Sequence, residues 1–144
     1  MIEAKLSAVL AANTALKKVG SVKLPAKAAW RVGRLIDKLG ALERKWQEMQ
    51  MRLLREHGGT EEGAGVSMRP PVREKDETEE TFSARQADFA KQIKALQEAA
   101  NEALDELEKI DYDPVPLSLF RDAEVEPNDM AALGAFVVDD EKAA

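Results

Sequence analysis

The stretch LIDKLGALERKWQEMQMRLL, Leu35 to Leu54, decides the fold. Within it Leu35, Leu39, Leu42, Trp46, Met49 and Leu53 recur at gaps of 4, 3, 4, 3 and 4. That spacing sets all six side chains in one helical stripe, a heptad seam that has to be buried against something. Leu24-Pro25 opens this helix, because a proline in the first turn gives up an N–H that has no intrahelical partner. Run from Pro25 to His57, the helix is about 50 Å long at roughly 1.5 Å per residue, more than a compact globule of this chain length spans.

Working toward the C-terminus, His57 to Arg73 holds Gly58, Gly59, Gly63, Gly65, Pro70 and Pro71, so no helix crosses it. Any strand over Val66 to Val72 is confined to a sheet edge, since its prolines lack ladder donors. Residues 58–77 thus form a glycine- and proline-rich acidic connector. Beyond it Thr78 or Thr81 caps a third helix. There Phe82, Phe89, Ile93, Leu96, Ala100, Ala103, Leu107 and Ile110 keep the three-four rhythm, with Gln86 in the one polar slot. Two matching seams joined by a break are what an antiparallel helical hairpin requires. The implied register puts Leu53 near Phe82 and Leu35 near Leu107, with Arg31, Arg34 and Lys38 beside Glu102, Asp105, Glu106 and Glu108. Exposed pairs of this kind contribute only about 0 to 1 kcal/mol each, so they select register while the apolar seam stabilises.

Working toward the N-terminus, Ile2, Leu6, Val9, Leu10 and Leu16 share one side of a short amphipathic helix over Ile2 to Val19. Gly20 and Ser21 close it, and Lys17 and Lys18 suit its negative end. At the other terminus, Asp111 to Leu117 reads as extended, followed by a turn of helix around Leu119 to Asp122. A short final helix begins at Pro127-Asn128-Asp129 and carries Met130, Leu133, Phe136 and Val137, before the acidic tail Asp139, Asp140, Glu141. The expected fold is mainly α: a long antiparallel, coiled-coil-like hairpin with a short N-terminal helix and an extended C-terminal arm ending in a short helix. Residues 1–110 make the hairpin unit and 111–144 the arm.

The chain has 144 residues, 44% hydrophobic and 33% charged. Of its 64 hydrophobic residues 23 are alanine, which leaves 41 larger apolar side chains, 7 of them aromatic, to carry all the packing. That is a thin core for one domain. The net charge of −6 conceals a division: residues 1–57 carry 12 Lys or Arg against 5 Asp or Glu, and residues 58–144 carry 9 against 22. A basic half suggests nucleic-acid binding. Positions suited to helix partners favour instead the pairing of the two halves, which leaves nucleic acid the disfavoured partner. The weakly charged run Leu6 to Leu16 is broken by Asn13 and Thr14 and is far shorter than the roughly 20 residues of a membrane span, so no membrane partner and no signal peptide are expected.

Little here is suited to catalysis. Cysteine is absent and His57 is the only histidine, which removes thiolate nucleophiles, thiol zinc sites and paired-histidine metal motifs. His57 beside Gly58 reads as a helix C-cap. Glu108, Asp111 and Asp113 lack the glycine and terminal glutamate of a calcium loop, and the glycines at 58, 59, 63 and 65 are not followed by the Lys-Ser or Lys-Thr of a phosphate loop. No enzyme activity, cofactor or metal is therefore expected. Trp30 and Trp46 lie sixteen residues apart on the long helix and point in different directions. Trp46 is a seam residue, while Trp30 is either core against the first helix or an anchor for a partner. The apolar run Tyr112, Val115, Leu117, Leu119, Phe120 either folds back over the hairpin end or serves as an arm for a neighbouring subunit. Together with Phe136 on the final helix, these are the candidate partner-binding residues.

The order of these parts resembles a known family. KLPAKAAWRVGRLIDKLGALERKW, then a glycine-rich break, a second charged helix, IDYDPVPLSLF and finally EPNDMAALGAFV are similar to small proteins encoded among the virion structural genes of tailed bacteriophages and prophages. The resemblance spans Leu24 to Val138 and carries no catalytic residues. It implies a structural or accessory part of the virion, at head, neck or tail, with other virion proteins as partners and a homo-oligomer or symmetric array as its state. It also implies residence in the host cytoplasm during assembly. An assembly chaperone or regulator absent from the mature particle is the alternative. The acidic connector Thr60 to Glu80 is longer than the loops of that pattern, so no function carries over to it.

Overall fold

The computed structural model describes residues 1–120 and 123–140. The elements run β1 (Ile2–Lys5), α1 (Leu6–Gly20), α2 (Ala26–Glu56), β2 (Thr60–Glu62), β3 (Gly65–Ser67), α3 (Glu79–Leu104), β4 (Leu107–Ile110) and β5 (Val115–Pro116). A 3-10 turn at Leu117–Phe120 follows, then α4 (Pro127–Leu133), a second 3-10 turn at Gly134–Phe136 and β6 (Val137–Val138). The protein is mainly helical with small strands, and α2 is a single helix of 31 residues. Two compact units are present: Met1–Lys45 together with the chain from Leu104 onward, and Trp46–Ala103.

The first unit owns the fully buried core. Ile2, Val9, Leu16 and Val19 gather with Val32, Leu35 and Leu39 of α2, and with Ile110, Val115, Phe120, Leu133 and Phe136 from the C-terminal segment. Each large apolar side chain so buried contributes about 1.5–3 kcal/mol, which makes this cluster the principal source of stability in the unit. It also corrects the expected division at 110/111. The C-terminal residues are integral to the core that α1 and α2 build, not a separate arm.

The termini of that core are stranded, a second correction. Ile2–Lys5 was expected to start a helix, but β1 pairs antiparallel with β4 in the register Ile2↔Ile110, Glu3↔Lys109, Ala4↔Glu108, Lys5↔Leu107. Ile2 and Ala4 face inward and Glu3 and Lys5 outward, the two-residue alternation of a half-buried strand. The Glu3–Lys109 cross-strand ion pair, at 3.8 Å, fits the same register. Because α3 stops at Leu104, Leu107 leaves the seam assigned to it and is exposed on β4, while Leu35 is fully buried in the first unit. The Leu35–Leu107 approach is thereby overturned.

The expected ion pairs also regroup. Asp105 pairs with Lys5 at 3.7 Å, and among the described residues Glu102, Glu106 and Glu108 make no ion pair with Arg31, Arg34 or Lys38.

α1 buries Leu6, Val9, Ala12, Ala15, Leu16 and Val19, and with them Asn13. Ser21 closes it as expected, its N–H and hydroxyl both donating to the Lys18 carbonyl at 3.1 and 2.6 Å. Pro127 opens α4, and Gly134 at φ 45° ends it. Lys18 reaches Asp129 on α4 at 3.7 Å. Val115 of β5 pairs in parallel with Val137 of β6, and the Ser118 N–H donates to Asp140 at 3.0 Å. The turn expected over Leu119 to Asp122 is seen as the 3-10 turn through Phe120. Asp122 and the Glu141 end of the acidic tail lie outside the described residues.

The second unit contains the end of α2, the β2–β3 hairpin and α3. His57 caps α2 by donating from Nδ1 to the Leu53 carbonyl at 2.8 Å. The hairpin pairs Thr60↔Ser67 and Glu62↔Gly65 around Gly63, whose φ of 57° suits the tight turn. The strand expected within Val66 to Val72 therefore ends before the prolines. Thr78 caps α3, its hydroxyl accepting from the Thr81 N–H at 3.2 Å, with Glu79 and Glu80 against the positive end of the dipole.

Candidate functional site

Among the described residues two surfaces stand out, one in each unit. In the first unit it lies on α2. At about 100° per residue, Lys27, Arg31, Arg34, Lys38 and Lys45 fall within about 40° of one line along the helix, with Trp30 at its side. Trp30 is 66% exposed. Arg34 lies over its ring, 5.6 Å from the centroid. One turn on, Arg31 and Lys38 cover the Tyr112 ring at 5.2 and 5.9 Å.

Tyr112 is locked in place. Arg31 Nε donates to its hydroxyl at 3.1 Å, and that hydroxyl donates to the Arg31 carbonyl at 3.3 Å. The same guanidinium donates to the carbonyls of Asp113 and Pro114 at 3.2 and 3.3 Å. Arg31 therefore pins the loop after β4 to α2 through neutral acceptors. Among the described residues no carboxylate lies within ion-pair distance of Lys27, Arg31, Arg34, Lys38 or Lys45.

The structure separates the sequence candidates. Val115, Phe120 and Phe136 are buried in the core, where they offer little to a partner in the folded state. Tyr112, Leu117 and Leu119 pack half-buried against that core. Trp30 alone of the seven stands out from the surface. Sequence reading missed the unpaired cationic row around it, although the spacing 27, 31, 34, 38, 45 carried the signal.

In the second unit the surface is the seam itself. Met49 and Leu53 of α2 and Phe82, Phe89, Ile93 and Leu96 of α3 are all half-buried. Its buried apolar residues are Trp46 and Ala103, the first and last of the unit in chain order.

Beside this seam Arg85 clasps Glu77. Its Nε donates to the carboxylate at 2.6 Å and its terminal nitrogen to the Val72 carbonyl at 2.9 Å. The Arg85 hydrogen bond holds the Glu77 carboxyl below its ordinary value of 4.5 and raises the guanidinium in turn. This clasp ties the connector to the first turns of α3.

Among the described residues, a cleft of about 320 Å³ in the first unit, at the end of α1, is lined by Val19, Val22 and Val125 and by the Lys18–Asp129 ion pair. Among the described residues no group of three acidic or histidine side chains gathers to hold a metal, and no helix is long and apolar enough to cross a membrane. The chemistry available on both surfaces is that of contact: apolar area, cations and an aromatic anchor. No family model matches this chain, and comparison with curated proteins and with solved structures returns no match.

Proposed function

We propose that the protein is a non-enzymatic assembly component, a structural or accessory part of a tailed-bacteriophage virion that acts through contacts with its own copies and with other virion proteins. The observation that carries this reading is the seam of the second unit. Six large apolar side chains, Met49, Leu53, Phe82, Phe89, Ile93 and Leu96, are left half-covered there. Each is already partly buried, so covering what remains adds a fraction of the roughly 1.5–3 kcal/mol that full burial is worth, summed over six side chains. In this reading the end of α2 and α3 form an antiparallel, coiled-coil-like pair, and copies of the chain cover one another's seams in a closed symmetric oligomer. The approach of Gly58, at the end of α2, to Gln92 in mid α3 supports that pairing. The phage assignment itself rests on the sequence resemblance, as does placement in the virion after assembly in the host cytoplasm.

Quantitative mass spectrometry of purified particles tests it. Presence at a fixed stoichiometry is the expected result. Consistent absence from particles, with complexes found only in assembling cells, would favour an assembly chaperone whose seam shields a partner. A stable monomer without affinity for any virion protein would overturn both.

A further inference from the structure

We propose that the exposed face of α2 between Lys27 and Lys45 docks an acidic amphipathic helix supplied by another protein, with Trp30 as its apolar anchor. The proposal deepens the assembly reading by naming the chemistry of one partner. Three observations carry it.

The first is uncompensated charge. Lys27, Arg31, Arg34, Lys38 and Lys45 form one stripe, and among the described residues none has a carboxylate partner. Like charges three and four residues apart on a helix repel, a cost that an acidic partner removes. The second is spacing. The steps of 4, 3, 4 and 7 follow the helical period over about 27 Å, and carboxylates on one side of a second helix repeat with that same period. The third is Trp30, exposed with Arg34 against its ring. Tryptophan and arginine are the residue types that most often dominate binding energy at protein interfaces.

Other occupants fit less well. Single-stranded nucleic acid needs successive aromatic platforms. Here Arg31 and Lys38 lie over the Tyr112 ring and Arg34 over that of Trp30, so the stripe offers no succession of open platforms. Asp111 and Asp113 flank Tyr112, and the whole chain carries −6, so a long polyanion is repelled beyond the stripe itself. A second copy of this chain lacks the matching surface. Of the exposed acids of α3, Glu79 and Glu80 are confined to its first turn, and Asp88, Glu98 and Glu102 are interrupted by the exposed Lys91 and Lys94.

The test uses the full chain and a fluorescein-labelled synthetic helix of about six turns, with glutamate on one side and leucine on the adjoining side. Fluorescence anisotropy is measured at low and moderate salt. Binding that weakens as salt rises, and at least tenfold in Trp30→Ala and in the double variant Arg34→Glu with Lys38→Glu, supports the proposal. A scrambled peptide of equal composition binds at least tenfold more weakly. Failure of the acidic helix to bind overturns it, as does equal binding by the variants. Displacement of the helix by a twenty-nucleotide oligo-dT at comparable concentration also overturns it, in favour of nucleic acid. The substituted residues belong to the first unit and none is a seam residue of the second, so an unchanged circular-dichroism spectrum and oligomeric mass show that the variants are folded. A lost peptide contact with unchanged mass, or the reverse, tells failure of this inference from failure of the assembly reading.

Discussion

Gly59 is the most constrained residue in the second unit. Its N–H donates to the Leu54 carbonyl at 2.7 Å, and a Cβ placed there would stand 2.6 Å from that oxygen and 2.8 Å from Val66 Cγ1. The carbonyl is backbone and cannot swing aside, so Gly59→Ala forces α2 and the β2–β3 hairpin apart. We expect a loss of about 1–3 kcal/mol, read as a lower denaturation midpoint.

In the first unit, Asn13 is buried on α1 and its amide donates to Glu43 of α2, which also takes the Lys17 ammonium at 3.3 Å. Asn13 Oδ1 has no hydrogen-bond partner. Glu43→Ala therefore strips the amide of its acceptor as well, and should cost about 1–3 kcal/mol in chemical denaturation.

Glu77 supplies the pH dependence. Its carboxyl is held below 4.5 by Arg85, so the clasp contributes stability that is fully present above the unfolded value and is lost as pH falls through the depressed folded value. Hydrogen exchange over residues 72–78 should accelerate on acidification below about pH 4.5 in the native chain. The Glu77→Gln variant should be fast already at neutral pH and change little.

At the scale of elements, legibility tracked how local each signal is. The α2 seam, the Thr78 cap, the His57 cap, the Ser21 stop and Pro127 at the head of α4 are all decided within a turn or two, and all stand where their residues suggested. β1 could not be read this way. Ile2 and Leu6 are four apart, which satisfies one helical turn and also the even spacing of a strand. What chooses between the two is β4, more than a hundred residues away in the chain. The same pairing draws Leu107 and Ile110 out of the three-four rhythm of α3 and turns a presumed seam into an edge.

Of the candidate site, Trp30 was legible as an open alternative, and its exposure removes the reading in which it is core. The run holding Val115 and Phe120 read either as folding back or as an arm for a neighbour, and only the tertiary core shows that these residues and Phe136 are spent within the unit. The cationic row was hidden because the two halves of the sequence do meet, but elsewhere. Lys5 pairs with Asp105 and Lys18 with Asp129, while Arg31 turns to Tyr112. At this scale, breaking the strand pair is the informative perturbation. Ile110→Ser removes a buried side chain from both β4 and the core, and should destabilise the first unit by about 2–5 kcal/mol, checked by thermal melting.

For the molecule as a whole, apolar burial is concentrated in the first unit, whereas the second presents an amphipathic seam that remains half-covered. Association through that seam is the central claim, and the mass in solution tests it most directly. Sedimentation equilibrium at micromolar concentration should give an integral multiple of the 15.9 kDa chain, falling to a single chain when Leu53→Glu and Phe89→Glu are combined. A native chain that sediments at 15.9 kDa over the whole range, with or without those substitutions, would contradict it.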